Sequence, residues 1–337
     1  MSISRRSLLK STILTAMFAG MTKGAAAQEF ANPQFSEPVP VDAGKWRVGT
    51  KLVLFGTQGG PIMNVTRMMT SQAIMIDGKM HLVDFGYGTL QRMAEMGIEV
   101  ETLQNMYLTH HHSDHMMDLP AIMNVTWASG VKGPIGVYGP EPIAQSLVAA
   151  KQLFAEDYRI RGRGGRFLPI ESVFEARAID LSQQISEKPV IIHQDDTVKV
   201  SAIKVPHSEF EMALALRFDT ADRSIVLSGD TGYSKNLVQL AKGTDVLLHE
   251  AMYWPGIEKM LLARGNGVIP ESHRQYFLSE HTTAEDAGKI AAAAGVKTLV
   301  LNHLIGGPEP VTDEQWIASA KKHYQGQVIA GRDRMVI

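Results

Sequence analysis

The sequence contains no cysteine. That excludes disulfides, thiolate metal ligands and a cysteine nucleophile together, so any metal site must be built from His, Asp and Glu. Net charge is nearly absent as well: 33 Lys and Arg against 35 Asp and Glu leave −2, too little for a general nucleic-acid or membrane-surface binder. A long apolar run is also missing, since the stretch at 13–21 falls far short of the roughly 20 residues of a membrane-spanning helix. No repeat period and no clear linker divides the chain. What is present is 337 residues with 45% apolar content, enough to bury a large core.

The first residues carry Arg5-Arg6, then the short apolar run, then Ala25-Ala26-Ala27. Charged, apolar and small-residue regions in that order make an export signal. "SRRSLLK" at 4–10 resembles the twin-arginine consensus, which implies a bacterial protein handed folded to the twin-arginine export machinery, cleaved after Ala27 and released into the periplasm without a stable membrane anchor. Residues 28–45, with Pro33, Pro38 and Pro40, read as an extended arm.

From Lys51 onward short apolar strands alternate with helical segments. "QAIMID" and "MHLVDFG" at 72–77 and 80–86 flank Asp77-Gly78, a hairpin signal. A helix over 90–96 and a strand over 106–109 follow, then "VKVSAIKV", "MALALRF", "SIVLSGD", "DVLLHE", the helix "TAEDAGKIAAAAG" and "TLVLNH". This is the pattern of a layered α/β domain spanning 28–337. Two less regular inserts fall near 155–190 and 253–279.

Chemistry concentrates in "LTHHHSDHMMD" at 108–118, where His110-x-His112-x-Asp114-His115 alternates donors so that two pairs can face two points. His111 points away from these and reads as structural. Further polar residues end other strands: His207 after "SAIKVP", Asp230 after "SIVLSG", His249 and Glu250 after "DVLL", and His303 after "TLVLN". Strand ends at one sheet edge are where a rigid scaffold holds reactive groups. Imidazole and carboxylate donors without thiolate suit zinc, with manganese and iron as alternatives.

These motifs, in the order "LFGTQGGP", "HLVDFGYG", "THHHSDH", "VPH", "LSGDTG", "LLHEAMY", "SEHTTAEDAGKIA" and "LVLNHL", resemble the metallo-β-lactamase fold superfamily across nearly the whole mature chain. The resemblance implies an αββα sandwich with two divalent metal ions at one edge. One would be held by His110, His112 and His207, the other by Asp114, His115 and His303, with Asp230 bridging. The lactamases of this fold carry Cys or Ser at the bridging position, so Asp230 points to hydrolases of phosphate, sulfate and carboxylate esters or lactones. Two such metals can share a water, lower its pKa and clamp attacking and departing oxygens; Asp114 would be both ligand and hydrogen-bond partner to the resulting hydroxide. His249-Glu250-Ala251 and His281-Thr282-Thr283 are similar to the ribonuclease Z and arylsulfatase branch, which implies that Glu250 orients His281 as proton donor to the leaving group. Thr282 or Thr283 also suits the cap of the helix that follows.

The sequence departs from ribonuclease Z where "LIGGPEP" follows His303 in place of the Ser and Arg-Tyr that contact phosphate there, and it shows no lysine-bearing arm for transfer RNA. The one basic cluster, Arg159, Arg161, Arg163 and Arg166, reads as a solvated loop balanced by Glu171 and Glu175, or as an anion-recruiting loop. Trp127, Trp254, Tyr276 and Phe277 line an apolar substrate pocket or pack the inserts. The leading expectation is an exported dinuclear hydrolase of small esters, namely aryl sulfates, phosphodiesters, lactones or carboxylic esters, with no nucleic-acid partner. A ribonuclease Z-like nuclease is the alternative, and a non-catalytic metal-dependent binding protein the reading from another class.

Overall fold

The computed structural model describes residues 44–180, 188–207 and 210–337. The expected export signal at 1–27 and most of the arm lie outside these residues.

Two seven-stranded mixed sheets form the centre. The first, in spatial order, is β14 (Met335–Val336), β1 (Thr50–Gly56), β2 (Ser71–Ile76), β3 (Lys79–Phe85), β4 (Leu103–Tyr107), β5 (Ile135–Pro140) and β6 (Phe174–Ile179). The second is β13 (Gln327–Ala330), β12 (Thr298–Ile305), β11 (Val246–Met252), β10 (Ser224–Leu227), β9 (Phe210–Thr220), β8 (Val198–His207) and β7 (Val190–Gln194). The sheets follow one scheme, an antiparallel half (β1 to β3; β7 to β10) running into a parallel half (β3 to β6; β10 to β13).

Apolar side chains on both faces of each sheet dictate the layering. Leu52, Ile74 and Tyr107 of the first sheet bury against Val200, Leu216 and Phe218 of the second. The opposite face of the first sheet packs Phe55, Met75 and Met106 against Ile122, Trp127 and Leu147 of its helices. The outer face of the second packs Ala215 and Leu299 against Ile290 and Trp316. The result is the αββα sandwich expected from the motifs.

Local chemistry fixes the elements. Asp77 and Gly78 take φ of 46° and 79°, the left-handed pair that closes a tight β2–β3 hairpin. The helix Ala284–Ala294 starts at Thr283, whose hydroxyl accepts the Asp286 N–H at 3.0 Å, and stops at Gly295 with φ 63°. Two expectations need correction. The insert at 253–279 is regular, a pair of helices, Trp254–Arg264 and Glu271–Glu280, packed around Ile257, Leu261 and Phe277. The arginine cluster begins as a helix, Ala155–Arg161, in which Arg159 pairs with Glu156 and Arg161 with Asp157 at 2.7 Å. Two of its four charges are thus paired within their own helical turn, since acid and Arg three or four residues apart are neighbours there. Glu175 pairs with Arg177 instead.

Candidate metal centre

The donors sit where strands end and register breaks. β4 runs out at Tyr107, and Thr109, His110 and His112 follow it before the short helix Ser113–Met116 carries Asp114 and His115. In β12 the pairing steps from Glu250↔Asn302 to Ala251↔Leu304, leaving His303 as an extra residue with φ 43°. The same device recurs in β3, where pairing steps from Ser71↔Phe85 to Gln72↔Val83 around Asp84, φ 49°. A bulge re-aims the side chain of the residue it leaves unpaired. Non-glycine residues in this region are strained, and such strain concentrates at functional sites.

His110, His112, His207 and Asp230 each bring a potential ligand atom within 4.8 Å of the others, and Asp114, His115 and His303 form a second such group among the described residues. Nε2 of His110 lies 2.9 Å and Nε2 of His207 3.2 Å from Nδ1 of His112. Oδ2 of Asp230 stands between the groups, 3.9 Å from His110 Nε2, 3.4 Å from His115 Nε2 and 3.2 Å from His303 Nε2. Asp114 Oδ2 is 3.3 Å from His303 Nε2. His115 Nε2 and Asp230 Oδ1 are buried without hydrogen-bond partners. Converging imidazole lone pairs and orphaned buried donors are what a bound cation satisfies, so the residues fit divalent metal.

Outer partners fix the tautomers. His115 Nδ1 donates to Asp84 Oδ2 at 2.8 Å, and Asp84 also accepts the Thr109 N–H and hydroxyl at 2.8 and 2.9 Å. The Thr109 hydroxyl then accepts from His110 Nδ1 at 3.1 Å. His207 Nδ1 donates to the Glu280 carbonyl at 2.9 Å, with the Glu280 carboxylate 3.2 Å away. In each case Nε2 keeps its lone pair toward the cluster. Burial holds His207 neutral, with its pKa down to about 4, and likewise lowers His110 well below its ordinary value, helped by neighbouring His115. Burial also opposes charge on His115, yet Asp230, Asp84 and Asp114 push its pKa up. Asp230, though buried, is held ionised by His303 and His115.

At the edge of this cluster His281 Nδ1 lies 2.9 Å from Glu250 Oε2 and 4.0 Å from Asp230 Oδ2. The other Glu250 oxygen accepts the Thr231 N–H at 2.6 Å. Burial opposes the His281 charge, but Glu250, by charge and hydrogen bond, and then Asp230 raise its pKa to about 9. His281 also falls within ligand distance of Asp230 and His303. His249 turns away, its Nδ1 on the Glu250 carbonyl at 2.7 Å, and His111 turns its Nε2 to the Pro140 carbonyl at 2.8 Å.

A family model described as anti-Pycsar protein Apyc1 matches residues 50–259. A ribonuclease Z of Mycobacterium avium is 31% identical over 288 residues, covering 84% of this chain and 96% of the relative. The chain belongs to this Apyc1 and ribonuclease Z family of hydrolases. Solved structures agree on the metallo-β-lactamase fold. Human tRNase Z, short form, superposes with a TM-score of 0.62 at 18% identity over 85% of this chain and 98% of that one. The metallo-β-lactamase fold protein YhfI of Bacillus subtilis gives 0.60 at 18% identity over 86% and 98%.

All nine residues singled out for the centre converge, whereas the aromatics do not. Trp127 packs on Tyr158 and Phe167 and lines a cavity of about 630 Å³ that none of the metal-centre donors touches. Tyr276 and Phe277 line another of about 250 Å³, also apart from the donors. Sequence reasoning missed Asp84, Thr109 and Glu280. Asp84 was visible in "HLVDFGYG", an aspartate ending an apolar strand, the same signal that marked Asp230.

Proposed function

We propose that this family member is a metal-dependent phosphodiesterase of small diesters, exported through its twin-arginine signal. The observation that carries the reading is the partly exposed His281, paired with buried Glu250, beside two donor groups with Asp230 between them. When bound, two divalent cations, with zinc suited to an imidazole and carboxylate set, activate water and neutralise a phosphoryl group. Their ligands would be His110, His112 and His207 on one side, Asp114, His115 and His303 on the other, and Asp230 between.

The chain's own residues supply the rest. Asp84 and Glu280 hold the imidazoles in the ligating tautomer before substrate arrives, so no reorganisation is required during reaction. Glu250 binds Nδ1 of His281 and leaves Nε2 as the nitrogen that hands a proton to the departing oxygen. Kinship with ribonuclease Z favours phosphodiesters over the aryl sulfates, lactones and carboxylic esters also consistent with the motifs. The internal pairing of Arg159 and Arg161 and the net charge of −2 favour small substrates over a nucleic-acid strand, which needs a row of free cations.

The test is a panel of bis(p-nitrophenyl) phosphate, p-nitrophenyl sulfate, p-nitrophenyl acetate, a lactone and single-stranded RNA with zinc- or manganese-loaded protein, alongside elemental analysis. Phosphodiester turnover with two metals per chain is expected. Preference for sulfate, acyl ester or RNA, or full activity with one metal, would overturn the proposal.

A further inference from the structure

The connection between β1 and β2 carries apolar side chains on an exposed loop. Its side chains Ile62, Met63 and Val65 are 77%, 72% and 86% exposed. Asn64 shapes the turn, donating to the Gln58 amide oxygen at 3.2 Å and accepting the Thr66 N–H and hydroxyl at 2.8 and 2.9 Å. The base is closed by bridges from Gln58 to Met69 and to Leu304. A single exposed apolar side chain is unremarkable, but three within four residues on an ordered loop mark a contact surface.

What the loop touches identifies the contact. The Gly60 N–H donates to Asp114 Oδ2 at 3.0 Å and lies 3.4 Å from His303 Nε2. The chain passes this close because of its glycines: a Cβ on Gly59 would come within 2.9 Å of His303 Nδ1, and Gly60 takes φ 81°. Ile62 follows two residues on, so its Cα is within about 8 Å of a residue bonded to the metal-centre donors. That is the span of one substituent on a phosphate. Tyr87, whose carbonyl accepts the Met69 N–H at 3.2 Å, and Met117, two residues after His115, are exposed as well.

We infer that Ile62, Met63 and Val65 form a specificity wall that receives an aromatic ester group, an aryl ring or a nucleobase, on the scissile phosphate. This rests on the phosphodiesterase reading above. The wall's branched chains supply apolar area, and the Met63 thioether suits the faces and edges of rings.

The test compares methyl p-nitrophenyl phosphate with phenyl p-nitrophenyl phosphate, which share a leaving group and differ only in the retained ester. Metal-loaded wild-type protein should favour the phenyl diester in kcat/KM by about tenfold, the range of a hydrophobic pocket contact. Replacing Ile62, Met63 and Val65 together with serine should bring that ratio near one without lowering the melting temperature. Calorimetry with diphenyl against dimethyl phosphate should show the same loss of preference in binding. No turnover of either diester, with diphenyl phosphate still bound through the loop, would sink the phosphodiesterase reading and keep the wall. Equal turnover and binding of both classes by wild type, or an equal fall for both in the variant, would overturn the wall. So would a loop that serves only lipid vesicles or self-association in co-sedimentation and sedimentation velocity.

Discussion

Replacing His281 with alanine separates the proton donor from the metal ligands. Its Nδ1 lies 2.9 Å from Glu250 Oε2, and its pKa stands at about 9 against an ordinary 6.5. At pH 7.5 such a group is about 97% protonated, whereas one at 6.5 is about 9% protonated, so the Glu250 pair is worth about tenfold in acid form. His281→Ala should keep two metals and lose roughly 10²- to 10⁴-fold in kcat, the range of general acid catalysis. Glu250→Gln should lose about tenfold and move the alkaline limb of kcat to lower pH, because the acid form of His281 then disappears earlier. Divalent cations near Asp230 and His303 oppose the raised pKa, so the displacement of that limb between wild type and variant is the quantity to read. The assay is turnover of aryl phosphodiesters whose leaving groups run from p-nitrophenol to phenol, with metal content measured on the same samples. The loss should grow as the leaving group becomes more basic. Loss of a metal in His281→Ala, equal slowing across the series, or an unmoved alkaline limb in Glu250→Gln would refute the assignment.

Asp84→Asn keeps a residue tolerant of φ 49° but weakens the acceptor for His115 and Thr109. Metal affinity should fall about 10- to 100-fold by competition with a chelating dye, with little change in metal-free stability. His81 is buried with its pKa lowered by burial, then by His193, to about 4 from 6.5. A depressed histidine contributes stability that is full above pH 6.5 and lost as pH falls toward 4, so its share of the loss between pH 7.5 and 4.5 is about 2.5 kcal/mol. Urea denaturation of His81→Gln should lose that much less over the same interval, and an identical loss in both proteins would rule it out. Exchanging Arg5 and Arg6 for lysine should leave uncleaved precursor in the cytoplasm on fractionation, and normal export would disprove the twin-arginine assignment.

The sequence determined what depends on residue type and short spacing. Alternating apolar runs marked the strands, Asp77-Gly78 the hairpin, and donors placed after those runs marked the candidates, His249 among them, because a strand end is set by the local pattern and imidazole and carboxylate declare their chemistry wherever they stand. Family resemblance then selected the seven expected ligands and paired His281 with Glu250. Tertiary structure decided everything that depends on distant partners. Asp84 lies 31 residues from His115 and Glu280 lies 73 from His207, so neither hydrogen bond has a spacing to betray it. Which residue of a strand becomes the bulge, as at Asp84 and His303, depends on the register of a neighbouring strand. Glu171 and Glu175 looked like the balance for the arginines of 159–166 because composition does not say which acids share a helical turn, and Arg159 and Arg161 pair with Glu156 and Asp157 instead. The exposed loop at 62–65 was invisible for a similar reason: apolar residues in sequence imply a core, and only the fold places these three outside it, on the loop whose Gly60 N–H donates to Asp114.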